Sequence, residues 1–142
     1  MSQSSNAQQP RVGIVGLGAM GMGTALALHE QGLAVLGCDV SPAAREAFEA
    51  QGGRSVAAPG DLAGCDVVVL LVVNGQQVEQ VLFGEPGLAG CLAPGSLVIQ
   101  CATVAPSQAR ALGERLSTIG LAMLDAPVSG GAAKARSGEL SV

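Results

Sequence analysis

Residues 11–39 read RVGIVGLGAMGMGTALALHEQGLAVLGCD, and this stretch decides the fold class. The β-branched run at 12–15 predicts a short buried strand, which stops at the first glycine of the motif Gly16-x-Gly18-x-x-Gly21. Apolar residues then recur at helical spacing until Gly32, a residue type that commonly ends a helix. A second strand is predicted at 34–38. The order strand, glycine turn, helix and strand is typical of a parallel βαβ unit.

The glycine turn has the composition of a pyrophosphate-binding site. Gly16 permits a tight bend, Gly18 lets the backbone approach a pyrophosphate, and Gly21 lets the helix pack closely on the strand. Asp39 follows Gly16 by 23 positions, where a carboxylate accepts hydrogen bonds from an adenosine ribose. Because a carboxylate repels a 2′-phosphate, the sequence predicts NAD rather than NADP as the cofactor. Arg45, one helical turn further on, is the nearest base that could approach such a phosphate.

Composition limits the possible partners of this 142-residue chain, which is 49% hydrophobic and therefore able to bury one domain core. A net charge of −4, with seven basic residues that form no cluster, argues against nucleic acid and against an anionic membrane surface. The four cysteines form no CxxC pair, so we expect no metal site. The longest apolar run, 67–73, is too short to cross a bilayer, and we expect a cytoplasmic protein. Residues 1–10, rich in Ser and Gln, predict a disordered tail.

Strands and helices continue to alternate after Asp39. Ser41 and Pro42 predict the start of a helix with Ala47 and Phe48 on its apolar face. Further helices are predicted after Asn74, where a hairpin turn is the less favoured alternative, and from Pro106. The remaining predicted strands are Arg54–Ala57, Asp66–Val73, Ser96–Cys101 and Leu121–Leu124. This alternation predicts an α/β fold with a doubly wound parallel sheet.

Ligands of such sheets bind beyond the carboxyl ends of the strands. The segments that follow predicted strand ends are Gly16–Gly21, Asp39, Val73–Asn74, Thr103 and Ser129–Gly131. We therefore expect these segments to meet at one cleft.

Two motifs resemble those of a known family. GLGAMGMG at 16–23, together with DAPVSGGAAKARSGEL at 125–140, resembles the β-hydroxyacid dehydrogenase family, whose members include 3-hydroxyisobutyrate dehydrogenase-like enzymes. The segments LLVVNGQQVEQVLFGEPG at 70–87 and CATVAP at 101–106 are most similar to its L-threonate dehydrogenase branch. The resemblance covers residues 11–142 and implies a single Rossmann-type domain that binds NAD.

The resemblance also implies roles for individual residues. In addition to Asp39, the implied cofactor-binding residues are Gly16, Leu17, Gly18, Ala19, Met20, Gly21, Val73, Asn74 and Thr103. The implied substrate-binding residues are Ser129, Gly130 and Gly131, whose hydroxyl and N–H groups would hold a substrate carboxylate. The substrate would be a small hydroxy acid, with L-threonate favoured and with tartronate semialdehyde, 3-hydroxyisobutyrate and glyoxylate reduction left open.

The family's catalytic lysine, in a GxxGxGxxxKxxN-type motif, has no counterpart in these residues, and neither has its C-terminal helical domain. The only lysine, Lys134, belongs to the 125–140 motif and receives no catalytic role. We therefore expect a truncated chain that binds NAD without turnover. The resemblance further implies a homo-oligomer for the full-length protein.

Other interpretations of the same residues stay open. A methyltransferase could share the glycine turn and the following acid, and a non-catalytic module could bind a dinucleotide equally well. Asp39 could simply cap the next helix, and Thr103 could cap the helix that begins at Pro106. Ser129 is not predicted to be a nucleophile, because VSGG is not a G-x-S-x-G motif and no histidine follows it.

Overall fold

The structure is a computed structural model that describes residues 9–142. Within them the chain forms β1 (Arg11–Val15), β2 (Ala34–Cys38), β3 (Arg54–Val56), β4 (Val67–Leu70), β5 (Leu97–Gln100) and β6 (Ala122–Asp125). The strands pair in parallel in the order β3-β2-β1-β4-β5-β6. This order reverses direction between β1 and β4, which is the topological switch point of a Rossmann-type sheet. The predicted doubly wound parallel sheet is confirmed.

The helices of the described residues are α1 (Ala19–Glu30), α2 (Pro42–Glu49), α3 (Gly75–Phe83), α4 (Pro106–Ser117) and α5 (Gly131–Ser137). Two short 3₁₀ turns, at 59–62 and 88–90, complete the connections. The predicted start of α2 is confirmed, because the Ser41 hydroxyl accepts a hydrogen bond from the Ala44 N–H at 3.2 Å. The predicted end of α1 is also confirmed, since Gly32 has a φ of 87° beyond its last turn.

Helices cover both faces of the sheet with aliphatic side chains. One core contains Ile14, Leu26 and Phe48 under α1 and α2. The other contains Val68 and Leu82 between the sheet, α3 and α4. β1 buries four successive residues, 12–15, and β4 and β5 have no exposed residue, which explains why these strands read as continuous apolar runs.

The register places the carboxyl ends of the strands level with one another. Val15, the last residue of β1, pairs with Cys38 of β2 and with Leu70 of β4. Leu70 pairs in turn with Gln100 of β5, and Gln100 pairs with Asp125 of β6. Because these five residues form one row across the sheet, the segments that follow them start from one edge.

The predicted strand at Asp66–Val73 is too long, since β4 spans only Val67–Leu70. The Leu71 N–H still donates to the Val15 carbonyl at 2.8 Å, but β1 ends there and leaves no neighbouring strand to pair with further residues. Val73 is therefore in the following loop, with 81% of its surface exposed.

The prediction that Ala47 faces the core is wrong, because Ala47 is exposed. Ala44 and Phe48, which are one turn apart on the same side of α2, pack against the sheet instead. Of the predicted disordered tail, residues 1–8 are outside the described residues, and Gln9 and Pro10 are exposed. Between residues 9 and 142 no helix has the length and apolar character needed to cross a membrane.

Candidate functional site

The fold requires two glycines of the turn between β1 and α1. Gly16 has a φ of 101°, and a Cβ atom there would overlap the carbonyl oxygen of Leu71. A Cβ atom at Gly21 would overlap the carbonyl oxygen of Gly16. Gly18 differs, because a Cβ atom there would have no neighbour within 4 Å. Gly18 thus borders open space at the surface of the turn.

This open space faces hydrogen-bond donors of the backbone. Gly18 is the N-cap of α1 and makes no side-chain capping bond. The N–H groups of the first turn, from Ala19 to Gly21, have no acceptor within the helix. Leu17 is 3% exposed, so its side chain belongs to the core. Unpaired donors beside a residue without a side chain fit the pyrophosphate of a dinucleotide.

Asp39 ties the glycine turn to the end of β2. Its Oδ2 accepts a hydrogen bond from the Leu17 N–H at 2.8 Å, and its Oδ1 accepts one from the Ser41 N–H at 2.9 Å. Ser41, and not Asp39, caps α2 through its hydroxyl. Because a carboxylate oxygen has two lone pairs, each oxygen can still accept a second hydrogen bond, for example from a ribose hydroxyl.

Arg45 contacts the backbone of Asp39. Its guanidinium donates to the backbone carbonyl of Asp39 at 2.7 Å, and its side chain is partly buried. A cationic and an anionic side chain are therefore both present at the end of β2.

The loops after β4 and β5 present Val73, Asn74 and Thr103 at the same edge of the sheet, all of them exposed. The Asn74 side chain accepts the Gln77 N–H at 2.9 Å and caps α3, which confirms the predicted helix and excludes the hairpin. α4 begins after Ala105 without a side-chain cap, so Thr103 does not cap it. Thr103 is an exposed residue at the edge where ligands of such sheets bind.

Sequence reasoning missed Gln100, the last residue of β5. Its side chain is fully buried. Its Nε2 donates to the Ala102 carbonyl at 2.8 Å and to Oδ1 of Asp125 at 3.0 Å. Asp125 is the first residue of the DAPVSGG motif, so Gln100 holds the start of that loop. A polar residue that ends an otherwise apolar strand was the available signal, because buried amides need partners.

The loop after β6 is open to solvent. Ser129, Gly130 and Gly131 are exposed, and the two glycines have φ values of 133° and 76°. The N–H and carbonyl groups of Ser129 pair with those of Ser141 at 2.9 Å each. The segment that follows α5 therefore returns to pair with the loop, and the small residues Ser129, Gly130 and Gly131 stay exposed.

Two thiols next to the site are poor nucleophiles. Burial raises the pKa of Cys38 to about 11, and the charge of Asp39 adds to the effect. Burial likewise raises the pKa of Cys101 to about 11, with a smaller contribution from Asp125. Both thiols are therefore protonated near neutral pH. In the part of the chain that the structure describes, no three His, Cys, Asp or Glu side chains are grouped closely enough to hold a metal ion.

Comparisons with known proteins agree with this geometry. The family described as the NAD binding domain of 6-phosphogluconate dehydrogenase matches residues 11–142. L-threonate dehydrogenase of Cupriavidus necator is 53% identical over 132 residues, which are 92% of this chain and 44% of that protein. An NAD-dependent L-serine dehydrogenase of Pseudomonas aeruginosa is 37% identical over 132 residues, with the same coverage of 92% and 44%.

A solved structure shows the same arrangement. The crystal structure of 3-hydroxyisobutyrate dehydrogenase from Salmonella typhimurium superposes with a TM-score of 0.88 and 44% identity, over 94% of this chain and 47% of that one. The chain thus spans about half the length of the proteins it matches.

Proposed function

The chain belongs to the family of the NAD-binding domain of 6-phosphogluconate dehydrogenase, and we propose that it is the cofactor-binding part of an oxidoreductase acting on a small hydroxy acid. L-threonate is the first candidate substrate, since a relative with 53% identity is an L-threonate dehydrogenase. The observation that carries the proposal is the open face of Gly18, which shares one edge of the sheet with the 125–131 loop.

The residues of this edge divide into three groups by the part of NAD that each would hold. The N–H groups after Gly18 would bind the pyrophosphate, and Asp39 would bind the adenosine ribose. Val73, Asn74 and Thr103 would line the nicotinamide end. When bound, the nicotinamide supplies the hydride acceptor for oxidation of the hydroxy acid.

Asp39 selects NAD over NADP in this proposal. Its carboxylate is oriented by the Leu17 and Ser41 N–H groups, and it would repel a 2′-phosphate while accepting a 2′-hydroxyl. The guanidinium of Arg45 works in the opposite direction, because it would attract a 2′-phosphate. The preference for NAD therefore depends on the difference between the repulsion of a 2′-phosphate by Asp39 and its attraction by Arg45.

Calorimetric titration of NADH and NADPH into the wild type, Asp39→Asn and Arg45→Gln measures that difference. We expect tighter binding of NADH by the wild type, a preference reduced about tenfold in Asp39→Asn, and weaker NADPH binding in Arg45→Gln. Tighter binding of NADPH than of NADH by the wild type would refute the role of Asp39.

The tip of the 125–131 loop would hold the substrate carboxylate. The Ser129 hydroxyl and the N–H groups of Gly130 and Gly131 are exposed donors on residues with little bulk. Oxidation of a hydroxyl also needs a group that accepts its proton. Lys134 is exposed on α5, and in this proposal the proton acceptor is not among the described residues.

A direct test mixes the purified chain with NAD and L-threonate and follows NADH absorbance, with Lys134→Ala as the control. We expect NAD binding without turnover, and turnover by a chain extended to the full length of the relatives. Turnover by the 142 residues that disappears in Lys134→Ala would instead make Lys134 the proton acceptor. The extended chain is then assayed with 3-hydroxyisobutyrate, tartronate semialdehyde, glyoxylate and, because of the second relative, L-serine.

Two controls separate this proposal from its alternatives. S-adenosylmethionine binding in place of NADH would indicate a methyltransferase. A full-length protein that binds NADH but oxidises none of the hydroxy acids would indicate a non-catalytic dinucleotide-binding module.

A further inference from the structure

Both ligand loops lead directly into helices, and these helices pack against each other. α1 begins at Ala19, immediately after the open glycine of the turn. α5 begins at Gly131, immediately after Ser129 and Gly130. Ala135, in the middle of α5, is only 2% exposed, although most of this short helix is at the surface. The side of α5 that contains Ala135 is therefore the side that faces α1.

The contact is close because α1 has a glycine there. A Cβ atom at Gly23 would lie 2.8 Å from the backbone nitrogen of Arg136, 3.2 Å from the carbonyl oxygen of Ala132 and 3.1 Å from the Ala135 Cβ. Two of these neighbours are backbone atoms, which cannot give way unless α5 itself moves. Glycine weakens a helix interior relative to alanine, so the close approach is a physical reason for its presence.

A second contact holds α5 further along α1. The Arg136 guanidinium pairs with both carboxylate oxygens of Glu30, and its Nη1 lies 3.0 Å from Oε1. The hydrogen bond from Arg136 lowers the pKa of Glu30. Gly23 and Glu30 are seven residues apart, which is two helical turns, so they lie on the same side of α1. α5 is thereby fixed at two points along α1.

We propose that Gly23 is a positioning residue that couples the dinucleotide turn to the loop at 129–131. Dinucleotide bound at the start of α1 restrains this helix, and the contact at Gly23 transmits the restraint to α5 and to the loop that precedes it. The coupling is reciprocal, so an occupied loop tightens dinucleotide binding by the same factor. The assignment of 129–131 as the substrate loop rests on the proposed function, whereas the contact between the helices does not.

Amide hydrogen exchange of the 142-residue chain, with and without saturating NADH, tests the coupling. The reporters are the amides of Ser129 and Ser141, which donate to each other's carbonyls. We expect NADH to slow their exchange about fivefold, the lower end of measured couplings between sites. Gly23→Ala should remove this effect of NADH.

Gly113→Ala is the matched control, because a methyl group added at that helical glycine meets only the Met123 side chain, at 4.0 Å. It should leave the effect of NADH unchanged. Ala135→Gly combined with Gly23→Ala removes the opposing methyl group but leaves the contacts with the Arg136 nitrogen and the Ala132 oxygen, so it should restore only a small part of the effect. Restoration by a compensating change in α5 would show that the effect of Gly23→Ala arises at this contact.

Arg136→Gln is a second variant in case Gly23→Ala does not fold, since it releases the far contact without adding an atom to the interface. It should reduce the slowing caused by NADH. If the wild-type chain binds NADH but exchange of neither amide becomes slower, the coupling is overturned and the proposed function is unaffected. Equal slowing in the wild type and in both variants also overturns the coupling. If Gly23→Ala fails to bind NADH, equal slowing in the wild type and in Arg136→Gln overturns it. Wild-type chain that fails to bind NADH refutes the proposed function and the coupling together.

Discussion

The glycine turn after β1 and the loop at 125–131 start from the same edge of the sheet but are held in different ways. The glycine turn is closed by backbone contacts that exclude a Cβ atom at Gly16 and at Gly21. The loop at 125–131 is exposed and is held by the buried Gln100 side chain, by the backbone pair of Ser129 with Ser141, and by the packing of the helix that follows it. The turn therefore leaves no room for a side chain at two of its glycines, whereas the loop is held mainly by hydrogen bonds from residues elsewhere in the chain. Substitutions should consequently cost most stability at Gly16 and Gly21 and have graded effects in the loop.

Gly21→Ala should have the largest effect, because its methyl group would overlap the Gly16 carbonyl. We expect a loss of more than about 3 kcal/mol in the free energy of unfolding. Gly131→Ala is the control in the loop, where φ is 76° but no atom lies within 4 Å, and should cost about 1 to 2 kcal/mol. Urea unfolding followed by circular dichroism suits a chain without Trp or Tyr. Equal losses in both variants would contradict the contrast between the two loops.

Gly18→Val should remove dinucleotide binding while the fold remains. The backbone at Gly18 is extended, with φ −69° and ψ −168°, and valine can adopt it, but the side chain would fill the open space. We expect the dissociation constant of NADH to rise at least about 100-fold and the free energy of unfolding to fall by at most about 1 kcal/mol.

Gly90→Val is its matched control, because Gly90 also borders open space, in the 3₁₀ turn at 88–90 and outside the proposed site. It should bind NADH as the wild type does. Unchanged NADH binding by Gly18→Val would show that the turn has only a structural role.

Gln100→Leu should loosen the loop without disturbing the turn. It leaves the Ala102 backbone and the Asp125 carboxylate without their partner, which costs about 1 to 3 kcal/mol of stability. Exchange of the Ser129 amide should become faster, while NADH affinity changes less than about threefold. Gln76→Leu, at an exposed position of α3, is the control. A Ser129 amide that exchanges at the wild-type rate in Gln100→Leu would mean that this bond does not hold the loop.

The smallest effect concerns the thiols beside the two loops. The folded chain raises the pKa of Cys38 to about 11, above that of an unfolded cysteine, because the thiol is buried. Between roughly pH 9 and pH 11 the unfolded state thus releases a proton that the folded state keeps, so the free energy of unfolding should fall as the pH rises. Below this range both states are protonated and the thiol has no effect.

Urea unfolding at several pH values measures this slope, and Cys38→Ala should make it shallower. At pH 8 a thiol reagent should modify the partly exposed Cys101 sooner than the buried Cys38, which lies under the turn. Faster modification of Cys38 would show that the end of β2 opens more readily than the end of β5.

The sequence by itself determined the sheet and the dinucleotide turn, because the constraints that create them are local. The residues from Gly16 to Gly21 carry their own steric requirements, and the apolar runs between turn signals suffice to indicate parallel strands covered on both faces. The hydrophobic pattern predicted a wrong strand end where that end depends on pairing with a neighbouring strand. The run to Val73 reads as strand, yet β4 ends at Leu70 because β1 offers nothing further to pair with.

Only the tertiary structure decided how the second loop is held. The bond from Gln100 to Asp125 joins residues 25 positions apart, and the pair of Arg136 with Glu30 joins residues 106 positions apart. The sequence around Gly23 likewise does not show why a glycine is needed there, since the need arises from contact with α5. Periodicity and turn chemistry describe the preferences of a segment, but a contact between segments exists only once the sheet has brought their ends together.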